Sequence, residues 1–96
     1  MEEKISLIVK FQAKEEKLDC LKSELLKILE PTRKEFGCLL YELHQDLDNP
    51  TILMFYEIWE NELAWKMHNT SKHITDFKVA IEDCVESVLI NRLTVI

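Results

Sequence analysis

The segment formed by residues 51–60 is apolar on both faces when it is read as a β-strand. One face would carry Ile52, Met54, Tyr56 and Ile58, and the other would carry Leu53, Phe55 and Trp59. An antiparallel strand with one solvated face alternates apolar with polar side chains, so this strand needs cover on both sides. Helices of the same chain can cover only one face of a four-stranded sheet. The pattern therefore predicts that a second copy of the chain covers the other face, in a twofold-symmetric homodimer.

The first third of the chain predicts a strand followed by a helix. Apolar side chains alternate with their neighbours at Ile5, Leu7, Val9 and Phe11, which is the period of a strand. The spacing then becomes helical, at Leu18, Leu21, Leu25, Ile28 and Leu29. Pro31 predicts that this helix kinks or restarts, because proline lacks the backbone N–H. Gly37, the only glycine in the chain, predicts a left-handed residue that ends it.

The middle of the chain predicts a β-hairpin. Residues 38–46 and 51–60 are rich in β-forming side chains, and they flank a turn-forming cluster at residues 47–50. Asn61 and Ser71 then provide side chains that suit the caps of two further helices.

The last third predicts a helix and a final strand. The helix after Ser71 would carry an apolar stripe at Ile74, Phe77, Ile81, Cys84 and Val88. Residues 88–96 would form the last strand. The order β-α-β-β-α-α-β indicates one α+β domain over residues 1–96, with a ferredoxin-like split β-α-β fold and a four-stranded antiparallel sheet.

Charge and composition exclude several classes of function. The net charge of −6 provides no basic surface for a phosphate backbone, so we do not expect a nucleic-acid partner. The sequence shows no basic leader with an apolar run and no stretch near the roughly 20 apolar residues of a membrane helix, so we expect a cytoplasmic protein without membrane contact. A single glycine cannot build a dinucleotide-binding or Walker phosphate loop, so we expect no built-in cofactor.

The cysteines and histidines do not show the spacing of a metal site. Cys20, Cys38 and Cys84 are far apart and form no CxxC pair, which favours reduced structural thiols over a disulfide framework or a zinc site. His68 and His73 lie five residues apart, and this spacing does not place them on one helical face. The sequence therefore predicts no metal site.

Aromatic residues and two polar ones indicate a candidate binding pocket. The aromatic candidates for contact with a substrate are Tyr41, Tyr56, Trp59, Trp65 and Phe77. An apolar pocket with a few polar groups is the usual form of a small-molecule site, although these side chains could equally fill the core. His68 can titrate near neutral pH, and Glu57 interrupts an apolar strand face where a carboxylate needs a partner or a ligand. We therefore select His68 and Glu57 as candidate catalytic residues.

Residues 35–77 resemble the antibiotic biosynthesis monooxygenase family, which includes bacterial quinol monooxygenases, and the first strand and helix fit the family plan too. The residues that carry the resemblance are Glu35, Gly37, Cys38, Tyr41, the run Asp48-Asn49-Pro50, the run Phe55-Tyr56-Glu57-Ile58-Trp59, His68, Ser71, His73 and Phe77. The resemblance implies a dimeric α+β barrel, in which the sheets of two protomers face each other.

The resemblance also implies an activity. Oxygenases of this family resemble one another in using no metal, flavin or haem: a quinol-like or phenol-like aromatic is deprotonated in the pocket and itself reduces dioxygen. The expected partners are thus a small aromatic substrate and dioxygen, with His68 as base or donor and with Tyr41 and Trp59 beside Glu57 as the pocket wall. Haem-degrading relatives carry a tryptophan and a histidine where this chain has His68 and Lys78, which disfavours haem chemistry.

Two other classes of function remain open. The same fold also serves isomerases of small carbonyl compounds, which would use His68 and Glu57 for proton transfer and would work without oxygen. A dimeric binding module with no chemistry would instead use the aromatic residues as core and hold a ligand for sensing.

Overall fold

The chain forms an α+β fold with one four-stranded antiparallel sheet, as the sequence predicts. The computed structural model describes residues 3–96. The strands are β1 (Ile5–Ala13), β2 (Cys38–Gln45), β3 (Ile52–Trp59) and β4 (Val85–Leu93), and the helices are α1 (Leu18–Lys27), α2 (Leu29–Arg33), α3 (Glu62–Asn69) and α4 (Lys72–Ala80). The strand order in the sheet is β2-β3-β1-β4, and every pairing is antiparallel. This is the ferredoxin-like arrangement. No helix in residues 3–96 is long and apolar enough to cross a membrane.

Strand β3 lies inside the sheet between β1 and β2, and its two faces differ in cover. Leu53, Phe55 and Trp59 are buried with Leu7 and Phe11 of β1 against the helices, in one hydrophobic core. The helices contribute Leu21, Leu25, Ile74 and Phe77 to that core. Because side chains alternate along a strand, the remaining apolar residues of β3 lie on the opposite face.

We call that opposite face the open sheet face. Its apolar side chains are Ile8, Leu40, Ile52, Met54, Tyr56, Ile58, Leu89 and Leu93, which share one side of the sheet by their pairing registers. The side chains from β3 are only half-buried or exposed, and Tyr56 retains 37% exposure. The described chain thus covers one apolar face of β3 and leaves the other without a helical layer.

The helix predicted before Pro31 restarts, and it does so before the proline. Helix α1 ends at Lys27 and α2 begins at Leu29, with Pro31 as the third residue of α2. Backbone N–H groups in the first turn of a helix have no partner within it, so proline is tolerated there. The short second helix places Thr32, which is fully buried, and it leads the chain towards Glu35.

Gly37 sits where both the backbone conformation and the available space require glycine. Its φ angle is +82°, in the left-handed region that side chains disfavour. A Cβ atom at this position would lie 2.5 Å from the Cβ atom of Ala64, which is closer than real Cβ contacts come. The glycine lets the chain pass directly beneath α3, and its carbonyl accepts a hydrogen bond from the backbone N–H of Glu60. The start of β2 is therefore held close to α3.

The predicted end of the last helix is wrong. Helix α4 stops at Ala80, and a turn precedes β4, so Cys84 and Val88 do not extend the helical stripe. The carbonyl of Cys84 accepts a hydrogen bond from the N–H of Lys14, which starts the pairing of this segment with β1. The strand then begins at Val85, three residues earlier than predicted. Pairing with β1 overrides the helical spacing of the side chains.

The two predicted helix caps have different outcomes. The side chain of Asn61 accepts a hydrogen bond from the N–H of Ala64 and caps α3, as predicted. Ser71 does precede α4, but its hydroxyl makes no cap bond. Instead it donates to the carbonyl of His68 at 2.7 Å, and this contact ties the end of α3 to the start of α4.

Candidate functional site

A cavity of about 120 Å³ lies between the helix-covered face of the sheet and the helices. Most of its wall is apolar, with Phe11, Phe55, Ile74 and Ile81 among the lining residues. The polar and charged lining side chains other than Tyr41 are Glu57, His68, Asn69 and Lys78. An apolar space with a small number of polar groups is typical of a small-molecule site.

The structure brings five of the seven predicted site residues to this cavity. Those that line it are Tyr41, Glu57, Trp65, His68 and Phe77. Trp59 does not line the cavity; it is fully buried beneath it and contacts Glu57 and His68.

The expectation that Tyr56 contacts a ligand in this pocket needs correction. Side chains alternate along β3, so Tyr56 points away from the side of Phe55 and Glu57 and lies on the open sheet face.

Glu57 is a buried carboxyl group with one strong hydrogen bond. Its side chain is 3% exposed, and its Oε1 atom accepts a hydrogen bond from the indole N–H of Trp59 at 2.8 Å. Burial disfavours the charged carboxylate and raises the pKa of Glu57 from 4.5 to about 7, although the bond from Trp59 acts in the opposite direction. Glu57 can therefore gain or lose a proton near neutral pH.

His68 is a buried imidazole fixed on two sides. Its ring lies over the ring of Trp59, with 4.6 Å between centroids, and its Nδ1 atom is 2.6 Å from Oε2 of Glu35. Burial, followed by the positive charges of His73 and Lys78, lowers the pKa of His68 to about 4. An ionised Glu35 works against this shift, but burial also raises the pKa of Glu35 and weakens that effect. His68 is therefore neutral at neutral pH.

The contact with Glu35 determines which nitrogen of His68 is basic. An ionised carboxylate can only accept hydrogen bonds, so the Nδ1–H group donates to Glu35. The Nε2 atom then keeps its lone pair. His68 lines the cavity, and among residues 3–96 only Nδ1 of its ring has a hydrogen-bond partner, so the lone pair of Nε2 is available to a ligand there. The arrangement of acid, imidazole and cavity is that of an oriented general base.

Further polar groups continue from Glu35 away from the cavity. The Nε2 atom of His73 lies 3.8 Å from Oε1 of Glu35 and 3.1 Å from the hydroxyl of Thr32. Thr32 also lies near the hydroxyl of Tyr41, so the network returns towards the cavity wall. Burial and the nearby charge of Glu57 raise the pKa of Tyr41, which keeps its phenol protonated. His73 and Glu35 are partly exposed and give this network contact with solvent.

Glu35, His68 and His73 also form a set that could hold a metal ion. Their potential ligand atoms all lie within 4.8 Å of one another, and two imidazoles with a carboxylate suit a divalent transition metal. The 2.6 Å contact between Glu35 and His68 is shorter than the separation of about 3.3 Å between two ligands around zinc, so a metal would have to replace that hydrogen bond.

His68 and His73 approach each other although their spacing does not place them on one helical face. His68 lies in α3 and His73 in α4, and the sharp turn between the two helices returns one imidazole towards the other.

The roles of several site residues could not be predicted from the sequence. Thr32 and Glu35 lie three residues apart, at the end of α2 and in the turn after it, and His73 lies in α4. Only the packing of α4 against this segment brings the three side chains together. Asn69 and Lys78 line the cavity from α3 and α4 and could donate hydrogen bonds to an anion. Glu35 and His73 did occur among the residues that carry the family resemblance, which was the one available signal.

Comparison with known proteins identifies relatives of this chain. The model of a family described as antibiotic biosynthesis monooxygenase matches residues 4–80. An uncharacterized protein of Bacillus subtilis (strain 168) is 39% identical over 59 residues, which are 62% of this chain and 56% of that protein. The chain thus spans little more than half the length of this relative.

Two solved structures are similar over nearly their whole length. A crystal structure of a Pseudomonas aeruginosa protein has a TM-score of 0.94 and 29% identity, and the match covers 100% of this chain and 97% of that one. A Deinococcus radiodurans protein named "putative antibiotic biosynthesis monooxygenase" has a TM-score of 0.88 and 27% identity, with 95% and 91% of the two chains covered.

Proposed function

This chain belongs to the antibiotic biosynthesis monooxygenase family, and from that premise we propose that it oxidises a small quinol-like or phenol-like aromatic with dioxygen. The single observation that carries the proposal is the neutral, buried His68. Its Nδ1 atom is held by Glu35 while the imidazole faces an apolar cavity. This geometry suits the removal of a proton from an aromatic hydroxyl.

The cavity supplies what such a reaction needs. Nε2 of His68 accepts a proton from the substrate hydroxyl, and the resulting phenolate is electron-rich enough to reduce dioxygen. For a 1,4-hydroquinone the balance is one quinol and one dioxygen giving one hydroxyquinone and one water, so the substrate supplies all the electrons. Lys78 and Asn69 stand where they can stabilise the negative charge that develops on oxygen.

The size of the cavity favours a substrate with one ring. A dry apolar cavity of about 150 Å³ in another protein accommodates benzene. At about 120 Å³ this cavity is of one-ring size and is too small for a fused polycyclic aromatic. Phe11, Phe55 and Phe77 provide aromatic edges and faces for stacking against it.

The test of this function is oxygen uptake by metal-stripped protein. We expect consumption of dioxygen with one-ring hydroquinones, less with fused-ring analogues, and one molecule of oxygenated product for each dioxygen consumed. Uptake measured with an oxygen electrode, together with the mass of the product formed under isotopically labelled dioxygen, checks this. A panel of single-ring quinols that gives uptake no faster than buffer would refute the oxygenase.

A second candidate is an isomerase of a small carbonyl compound. It is favoured by the presence of two proton-transfer groups on one cavity, Glu57 with a pKa of about 7 and the neutral His68. One group could remove a proton while the other returns it. Turnover of carbonyl substrates under anaerobic conditions would support the isomerase. Binding of aromatics with no turnover in either assay would instead support a non-catalytic binding module.

We further propose that two copies of the chain pair through the open sheet face. The apolar side chains of this face come from all four strands, and no helix within residues 3–96 covers it. Lys10 and Glu42 lie on the same face, so the twofold arrangement can also pair opposite charges. The same face of a second copy would cover the apolar side chains and provide the opposite charges. The result is a closed, twofold-symmetric dimer.

The proposed dimer predicts the mass of the protein in solution and a position where a substitution should prevent pairing. Two copies of 11.4 kDa give about 23 kDa in light scattering. Met54→Lys should shift the mass towards one copy, because it places a charge in the middle of the open sheet face. Val79→Lys, on the exposed side of α4, is the matched control and should keep the larger mass. A wild-type mass of one copy at micromolar concentration would contradict the proposal.

A further inference from the structure

Two cysteines that are far apart in sequence meet in the structure. The Sγ atoms of Cys20 and Cys84 are 3.1 Å apart, although 64 positions separate the two residues. Cys20 lies in the first turn of α1, and Cys84 ends the turn that leads from α4 into β4. The sequence favours isolated structural thiols, because the spacing does not show a pair. The fold nevertheless places these two sulfur atoms in direct contact.

We propose that Cys20 and Cys84 form a reversible disulfide when a peroxide oxidises the protein. The bond length of a disulfide is about 2.0 Å, so the two sulfur atoms need to approach by only about 1 Å. A side-chain rotation in an exposed first turn can provide this movement. Neither cysteine lines the cavity, so this disulfide is independent of the proposed function.

The two cysteines differ in exposure to solvent, and this difference determines which one reacts first with peroxide. Cys20 is exposed, whereas Cys84 is buried and donates its S–H to the sulfur of Cys20. That hydrogen bond, together with burial, raises the pKa of Cys84 and keeps it a thiol. Cys20 is thus the sulfur that a dissolved peroxide can reach, and Cys84 is the neighbour that resolves the product.

The reaction balances with hydrogen peroxide as the oxidant. Cys20 loses its proton to solvent and its thiolate attacks one peroxide oxygen; the O–O bond breaks, a sulfenic acid forms, and the released hydroxide takes up a proton and leaves as water. The sulfur of Cys84 then attacks the sulfenic sulfur; the S–S bond forms and the S–O bond breaks. Cys84 loses its proton and the hydroxyl leaves as a second water. Two thiols have been oxidised by two electrons, and one peroxide has been reduced to two waters.

The third cysteine provides an internal comparison. Cys38 starts β2 and is half-buried, and burial raises its pKa to about 11. The nearby carboxylates of Glu35 and Glu57 act in the same direction. A thiol with so high a pKa contains little thiolate at neutral pH, and it should react slowly with peroxide. Oxidation should therefore be selective for the pair.

The disulfide would join α1 to a segment that forms part of the cavity wall. The backbone N–H of Cys84 donates to the carbonyl of Ile81 at 2.8 Å, and Ile81 lines the cavity. Closing a loop of this length restricts the unfolded chain strongly, so the oxidised protein should be the more stable form.

The experiment is titration of the reduced full chain with hydrogen peroxide. We expect the count of reactive thiols in denaturant to fall from three to one and the mass of the single chain to fall by about 2 Da, both restored by a dithiol reductant. The melting temperature of the oxidised protein should rise by about 10 to 20 °C. Peptide mapping without reductant should recover residues 20 and 84 in one linked peptide pair.

Matched variants test whether Cys20 and Cys84 are the residues that form the disulfide. Cys38→Ser should keep the loss of mass and the rise in melting temperature, whereas Cys20→Ser and Cys84→Ser should each abolish both. Cys20→Ser is the more informative of the two, because residue 20 is exposed and its replacement should leave the fold intact. Three thiols that survive excess peroxide would overturn the proposal, and so would oxidation that only links separate chains through Cys20.

Discussion

Replacing His68 by alanine is expected to lower the rate of oxygen uptake with a reactive quinol at least about 100-fold. The substitution removes the only described imidazole that lines the cavity, and with it the lone pair that accepts the substrate proton. Because the alanine leaves a space of imidazole size next to Trp59, added imidazole should restore part of the rate. The measurement is kcat with and without imidazole, at a pH well above 4 so that the wild-type ring is neutral.

Two companion variants separate catalysis from folding. Met67→Ala changes the exposed preceding residue on the same helix and should leave kcat unchanged. Glu35→Gln keeps the size of the side chain that holds Nδ1 but removes its charge, and it should lower kcat by about 10-fold, since Glu35 acts through His68 as a positioning residue. If His68→Ala folds, retains more than half of the rate and shows no imidazole effect, His68 is not the base.

The fold could be predicted where local rules and tertiary contacts agree. The alternation in β1, the two apolar faces of β3 and the proline break between α1 and α2 all depend on the period of side chains or on the missing N–H of proline. The end of α4 could not be predicted this way. The spacing of Cys84 and Val88 continues the helical stripe, but hydrogen bonding to β1 decides their conformation, and that partner is about 75 positions away.

The candidate site likewise contains residues that could be predicted from the local sequence and residues that could not. Glu57 could be selected because it interrupts an apolar strand face, and His68 because its side chain can titrate near neutral pH; both are buried in the structure. Their partners could not be selected so easily. Glu35, Thr32 and His73 acquire a role only through the packing of α4 against the segment at the end of α2. The Cys20–Cys84 contact shows the same limit, because it depends on the packing of separate elements. The position of Tyr56 opposite Phe55, by contrast, follows from the alternation of side chains along β3.

The carboxyl group of Glu57 should make the stability of the protein depend on pH, and Glu57→Gln should remove that dependence. Its pKa is about 7 in the folded chain, whereas 4.5 is the ordinary value that applies to the unfolded chain. The folded state therefore binds the proton more tightly. The contribution of Glu57 to the free energy of unfolding should be highest below pH 4.5, should fall as the pH rises from 4.5 to 7, and should be level above that. The gap between the two pKa values corresponds to about 3 kcal/mol.

The measurement is urea unfolding of wild type and Glu57→Gln at pH 5 and pH 8. Other groups also titrate in this range, so the difference between the two proteins is the quantity that isolates Glu57. A glutamine can still accept the hydrogen bond from the Trp59 indole, and the variant should gain about 2 to 3 kcal/mol relative to wild type between the two pH values. Glu60→Gln, an exposed position just beyond the same strand, should show no such gain. Equal pH dependence in wild type and Glu57→Gln would mean that the carboxyl is ionised at little cost, and Glu57 would then not be a proton donor to a ligand in the cavity near neutral pH.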